Sequence, residues 1–275
     1  MTDPATAKSR EWDSTAYHRI SGPQFSWGQK VLDRLSLSGE ETVLDAGCGT
    51  GRLTAELLQQ LPRGQVVGVD LSQNMLRSAH ENLLSAEPAP GEENRGRVRF
   101  VAADLQDLPF AGCFDGIFST ASFHWVLDHD RLFRSLFVSL KPGGWLHAQC
   151  GGGPNLSRLL GRVAVLVRAP KFRTYLGDYK DPWVFADAET AAQALSSAGF
   201  VEVQTSVEPA PTHFDTAKEF SEFVAKVILQ RHLERLPDVT LREEVLREVT
   251  SLAAEDDPPF TLDYWRLNLN GKRPS

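Results

Sequence analysis

The chain has 275 residues, 41% hydrophobic and 24% charged, the balance of a soluble globular protein with a sizeable core. Its formal net charge of -7 argues against a nucleic-acid partner, because binding phosphates needs a basic surface. Three scattered cysteines without a C-x-x-C pair suit free thiols rather than a disulfide framework or a metal site, and no apolar run is long enough to span a bilayer; a cytoplasmic protein with no membrane partner is expected.

From Glu41 the sequence alternates short β-rich runs with helical patterns. Strands are predicted at Thr42–Ala46, Gln65–Asp70, Arg97–Ala102, Phe114–Ser119 and Trp145–Cys150, with helices at Arg52–Leu61, Gln73–Ser85 and Asp130–Leu140. This alternation predicts an α/β fold with a doubly wound parallel sheet. Lys141-Pro-Gly-Gly144 stops the third helix, and the polar stretch 87–96 (EPAPGEENRG) reads as a disordered loop. A helix is predicted at Asn155–Val167, then an irregular segment through Phe185. Asp187 caps a helix ended by Gly199, and Phe200–Val207 makes a sixth strand. Two long amphipathic helices follow, hinged near Leu236-Pro-Asp238, and Phe260–Leu269 is the last strand.

The stretch Val43-Leu-Asp-Ala-Gly-Cys-Gly-Thr-Gly51 runs from a strand into a glycine turn, which lets a ligand approach backbone N–H groups. Asp70 ends the second strand, where an acidic side chain can grip ribose hydroxyls. Both facts fit dinucleotide-binding proteins and methyltransferases alike. The spacing separates them. Gly47, Gly49 and Gly51 form G-x-G-x-G, not the pyrophosphate-binding G-x-G-x-x-G, and Asp45 sets a carboxylate where a pyrophosphate needs positive potential. A carboxylate there suits an ammonium group, and a ligand with an ammonium, a ribose and an adenine is S-adenosylmethionine.

Asp45–Gly51 resembles the first motif of class I S-adenosylmethionine-dependent methyltransferases. Val69-Asp-Leu-Ser72, Ala103-Asp-Leu105 and Leu140-Lys-Pro-Gly-Gly144 resemble three further blocks of that family, in the family's order. The resemblance implies a Rossmann-like seven-stranded sheet whose last strand is antiparallel, with a helical cap. The core would take residues about 40–153, 186–208 and 258–271, and the lid or cap 1–39, 154–185 and 209–257. It also implies roles for single residues. The backbone at Gly47 and Gly49 packs on the methionine part, and Asp45 reaches its ammonium. Asp70 accepts from both ribose hydroxyls, Leu71 and Met75 sandwich the adenine (Met75 also fits a core position), and Asp104 with the Leu105 N–H reads the adenine edge. Tyr17 and Ser119 complete the expected cofactor-binding set.

Ser119-Thr-Ala-Ser-Phe-His-Trp-Val126 follows the fourth strand, where ligands of open parallel sheets sit. Its His124-Trp125 pair, with Trp12-Asp-x-x-Ala-Tyr17 near the N-terminus, resembles the trans-aconitate and related small-acid carboxyl methyltransferases. That resemblance implies methyl transfer to a small-molecule acceptor, a carboxylate or other oxygen, with His124 and Trp125 at the reacting centre. Against an ionised carboxylate His124 acts as a donor; against a phenol, amine or carbon acceptor it becomes the base; otherwise it is a packed loop residue. Carbon methylation of a quinone- or polyketide-like ring and a non-catalytic S-adenosylmethionine-binding role stay open. Arg162, Arg168, Arg173 and His213 could clamp a carboxylate or be surface charges. Asp257-Pro-Pro-Phe260 spells a motif of amino-methyltransferases, but it falls before the last strand, not after the fourth, and reads as a helix stop.

Overall fold

The computed structural model describes Glu11, Trp12, Ser14 and residues 21–84 and 96–275; Tyr17 and the loop 87–95 lie outside the described residues. The chain divides into two compact units. The first comprises Met1–Gly153, Trp183–Val207 and Leu267–Ser275, and the second Pro154–Pro182 and Glu208–Arg266.

In the first unit α1 (Gly22–Leu32) precedes β1 (Thr42–Ala46), α2 (Arg52–Gln59), β2 (Gln65–Asp70), α3 (Gln73–Leu84), β3 (Val98–Ala102) and β4 (Phe114–Thr120). A 3-10 turn at Phe123–Trp125 leads to α4 (His129–Ser139) and β5 (Leu140–Gly151). The second unit opens with α5 (Ser157–Leu166) and α6 (Pro170–Leu176), and the chain returns through α7 (Ala188–Ser197) and β6 (Val201–Pro209). There follow β7 (Thr212–His213), α8 (Ala217–Phe223), a π-helical turn at Val224–Ile228, α9 (Gln230–Arg235), α10 (Val239–Ala254), β8 (Thr261–Leu262) and β9 (Trp265–Lys272).

Among the described residues β1 to β6 and β9 form one seven-stranded sheet in the order β3-β2-β1-β4-β5-β9-β6, six strands parallel and one antiparallel. This is the expected doubly wound sheet. Successive residues of a strand face opposite sides, and in β1 both sides are buried: Val43 packs with Leu57, Leu58, Val66 and Val31 of α1, while Leu44 packs with Ile117, Leu132, Leu136 and Leu146. Covered on both faces, β1 places its carboxyl end and the turn that follows at the centre of the sheet.

Four local expectations differ from the structure. The segment read as irregular contains α6, started by Pro170 in the first helical turn, where its missing N–H costs nothing. The helix expected from Asn155 begins at Ser157, because the Asn155 side chain accepts the Trp265 N–H and Leu156 adopts a positive φ of 58°. The last strand is broken into β8 and β9. Asp263 stands in the break and caps α5, accepting from Ser157 Oγ at 3.0 Å and Arg158 N at 2.8 Å. The first of the two long helices is interrupted by the π-helical turn, while α10 begins as expected, capped by Asp238. The helix-stop reading of Asp257–Phe260 agrees with the Phe260 N–H, which donates to the Ala253 carbonyl at 2.8 Å.

Close approach is required at Gly116 of β4, where a Cβ would overlap the Trp145 indole on neighbouring β5. Gly116→Val should therefore destabilise the protein by about 1–3 kcal/mol, measured by urea unfolding.

Candidate active site

The turn after β1 is built by hydrogen bonds that fold it back onto the sheet. Gly47 N and Cys48 N both donate to the Val69 carbonyl, at 2.8 and 3.0 Å, and Gly51 N donates to the Cys48 carbonyl at 3.0 Å. Gly49 N donates to Asp70 Oδ2 at 3.0 Å, while Asp70 Oδ1 accepts from Ser72 N at 2.9 Å. Gly47 holds φ at +83°, and a Cβ there would overlap the Ser122 side chain. Gly49 also holds a positive φ, 53°, but a Cβ there would meet nothing within 4 Å. The second glycine thus faces open space while the first is packed.

One cavity of the first unit opens onto this turn. Its lining includes Asp45, Gly47 to Thr50 and Arg52, with Ser21 just before α1, Gln24 and Phe25 of α1, and Thr120 and Ala121. Asp45 is buried, and Thr54 Oγ1 donates to its Oδ2 at 2.6 Å. Burial raises the Asp45 carboxyl to about 7, against the Thr54 bond, which lowers it. Burial likewise raises Asp70 above the usual carboxylate range, although backbone N–H groups of Ser72 and Gly49 oppose this. The Gln24 Oε1 is buried and has no hydrogen-bond partner among the described residues. A carboxylate and a guanidinium on one cavity wall are the pair that a zwitterionic amino-acid group requires.

The structure brings most of the expected site residues to the carboxyl ends of β1, β2, β3 and β4. Asp104, just after β3, accepts from Gln106 N at 3.0 Å, and Ala103 N ties this end to the Asp70 carbonyl at 3.2 Å. Leu105 and Met75 are buried, whereas Leu71 is 41% exposed. Ser119 is buried and donates to the Ala46 carbonyl at 2.6 Å, so it braces β4 against β1.

His124 sits in an aromatic cluster. Its ring lies 5.2 Å from Trp125 and 5.8 Å from Phe185, and Trp125 meets Trp12 and Trp183 edge-on at 5.0 and 5.5 Å. The Gly151 N–H donates to His124 Nδ1 at 3.3 Å, and the His124 carbonyl accepts from Val184 N at 2.8 Å. An imidazole whose Nδ1 accepts a backbone N–H carries its proton on Nε2.

Sequence reasoning missed several of these groups. Trp183 and Phe185 belong to a stretch read as irregular, although the aromatic run Trp183-Val-Phe185 was the available signal. Gln24 and Arg52 carry no motif. Glu11 was also missed: its carboxylate accepts from Ser72 Oγ, Gln73 N and Asn74 N and so caps α3. The candidate clamps Arg162, Arg168, Arg173 and His213 all belong to the second unit. Arg162 forms a two-pronged ion pair with buried Asp256, at 2.6 and 3.0 Å, and His213 Nδ1 lies 3.2 Å from Thr261 Oγ1.

Known proteins share this fold. The fold matches Haemonchus contortus phosphoethanolamine N-methyltransferase 2, solved with phosphomonomethylethanolamine and S-adenosylhomocysteine, at a TM-score of 0.60 and 20% identity; the match covers 95% of this chain and 57% of that one. A family described as a methyltransferase domain matches residues 43–144. The chain is 30% identical over 267 residues to the uncharacterized methyltransferase C70.08c of Schizosaccharomyces pombe, covering 94% of this chain and 96% of the relative. It is 30% identical over 254 residues to a trans-aconitate 2-methyltransferase of Delftia acidovorans, covering 86% of this chain and 87% of the relative. The chain belongs to the class I S-adenosylmethionine-dependent methyltransferases. S-adenosylmethionine is the methyltransferase's cofactor, and the open face of Gly49 with the Asp45 and Arg52 pair fits such a group.

The raised carboxyl of Asp45 has a measurable signature in the ligand-free methyltransferase. A folded-state value near 7, above the ordinary 3.8, means that folding favours the protonated acid. The resulting stability is fully present below about pH 4 and is lost as pH rises through 7. Asp45→Asn abolishes that titration, so its stability relative to wild type should increase by at least about 1 kcal/mol between pH 5 and pH 8, read from urea unfolding without ligand.

Proposed function

We propose that this methyltransferase methylates the oxygen of a small carboxylic acid. The observation that carries the reading is the Gly151 N–H aimed at His124 Nδ1. With Nδ1 engaged as an acceptor, the ring carries its proton on Nε2, which makes His124 a hydrogen-bond donor ill-suited to remove a proton. A carboxylate is already ionised at neutral pH and needs no base. The trans-aconitate 2-methyltransferase name of the Delftia acidovorans relative supports the same acceptor class.

When bound, S-adenosylmethionine supplies an activated methyl group on a sulfonium sulfur. The protein's part is then to align donor and acceptor and to exclude water. Asp45 and the orphan Gln24 Oε1 receive the ammonium end, and Arg52 its carboxylate. Asp70 keeps lone pairs on both oxygens beyond its bonds to Gly49 and Ser72, enough for two ribose hydroxyls. Leu71 and Met75 flank the adenine, with Asp104 and the Leu105 N–H at its edge. Gly47 and Gly49 admit the methionine part, and Ser119 keeps β4 in place. His124 orients the acceptor and Trp125, held between Trp12 and Trp183, walls off water.

Two experiments test these assignments. Asp70→Ala removes an ionised acceptor whose bonds are typically worth about 1.5–3 kcal/mol each, so calorimetry should show S-adenosylmethionine affinity falling at least about tenfold in a folded protein. Unchanged affinity would refute the assignment. His124→Gln keeps a donor and should lower turnover of a carboxylate acceptor by no more than about tenfold, with a flat profile across pH 6–8. A loss of roughly 10²–10⁴-fold with cofactor binding intact would instead make His124 a base.

A further inference from the structure

We propose that the second unit contains a binding site of its own for a small apolar carboxylic acid. The inference does not depend on which acceptor is methylated. A cavity of about 330 Å³ lies wholly among residues of this unit, between α5, α6, the segment after α6, and α9. That volume is at the lower end of the range for small-molecule sites.

Its two sides differ in chemistry. One is aliphatic: Leu160, Val163, Ala164 and Val167 come from α5 and the residue after it, and Leu176 from the end of α6. The other carries Arg168 and Arg173 together with Asp181, whose carboxylate is taken by His232, while neither guanidinium has an ion pair or side-chain hydrogen bond among the described residues. This contrasts with the same unit's Arg158, Arg162 and Lys171, each held by an acidic side chain. Two free guanidinium groups beside an apolar wall suit a ligand with one anionic head and a hydrocarbon body.

A third feature completes the site. Tyr179 lines the cavity, and its hydroxyl oxygen is buried with no hydrogen-bond partner among the described residues. Its ring is fixed edge-on against His232 at 4.5 Å, and His232 Nε2 is in turn 3.0 Å from Asp181. A buried hydroxyl without a partner costs stability, and a ligand oxygen would satisfy it. A carboxylate offers two oxygens, which the arginines and this phenol can share. A phosphate diester would bring a bulkier head, and two arginines against the single carboxylate of Asp181 favour an anion over an amine.

The test is calorimetric titration of the full-length protein with octanoate and with 1-octanol. Octanoate should bind saturably, at least about tenfold more tightly than the alcohol. The double variant Arg168→Gln/Arg173→Gln should lose at least about tenfold in octanoate affinity. Ala164→Trp, a substitution at an exposed position that fills the cavity, should abolish binding. S-adenosylhomocysteine titrated into the same samples should bind each variant as it binds wild type, which separates loss of this site from loss of fold or of the cofactor site. The proposal is overturned if wild-type protein binds no octanoate below about 1 mM, if acid and alcohol bind alike, or if either folded variant binds octanoate like wild type. Should a variant fail to fold, the other variant and the wild-type comparison decide.

Discussion

One backbone acceptor organises the cofactor end of this molecule. The Val69 carbonyl, at the last buried position of β2, takes the N–H groups of both Gly47 and Cys48. The turn after β1 is thereby stitched to the neighbouring strand, and its next donor, Gly49 N, is drawn to Asp70. With Gly51 N bound to Cys48 O, four amides of the turn are satisfied inside the protein. A phosphate cradle works the other way, with such amides pointing outward to an anion. The geometry therefore gives a physical reason for the proposal that this glycine turn receives a ligand carrying positive charge at that end. It also ties Asp45 to Asp70, whose charge adds to burial in raising the cost of ionising Asp45.

Much of this could be read from residue order because the relevant signals are local. Strand β1 and the turn are specified by β-branched and glycine residues within ten positions, and Asp187, Gly199 and Asp238 act as helix punctuation on their own helices. What escaped was set by partners distant in sequence. Asn155 leaves its helix for an N–H 110 residues away, and the last strand breaks because Asp263 is needed at the start of α5. No pattern around Gln24 or Arg52 announces that α1 shares a cavity with the glycine turn. The same holds for His124, whose residue type and position were legible but whose tautomer is decided by Gly151 at the end of β5.

The second unit follows a different logic from the first. A polar cluster ties its elements together: Asp256, whose side chain is buried, gathers both Arg158 and Arg162, while Arg158 also reaches the Thr261 carbonyl at 2.6 Å. Removing one member of such a cluster leaves an uncompensated charge, so the group behaves as a single element rather than as separable contacts. Arg168 and Arg173, by contrast, have no acidic partner among the described residues and stand together at one cavity.

The sheet order also carries a consequence for how the chain is made. Among the described residues β6 is an edge strand paired with β9 alone, and residues 210–264 separate the two in sequence. During synthesis at roughly 5–20 residues per second, β6 must wait a few seconds for the strand that pairs with it. An unpaired strand exposed for that long invites pairing with other nascent chains. Its sequence answers the hazard: Glu202, Gln204, Ser206 and Glu208 alternate with Val201, Val203, Thr205 and Val207, so charge and polarity line one face throughout the delay. Once β9 arrives, Lys272 closes on Glu202 at 2.7 Å, and one of the residues that guarded the nascent edge becomes part of its seam.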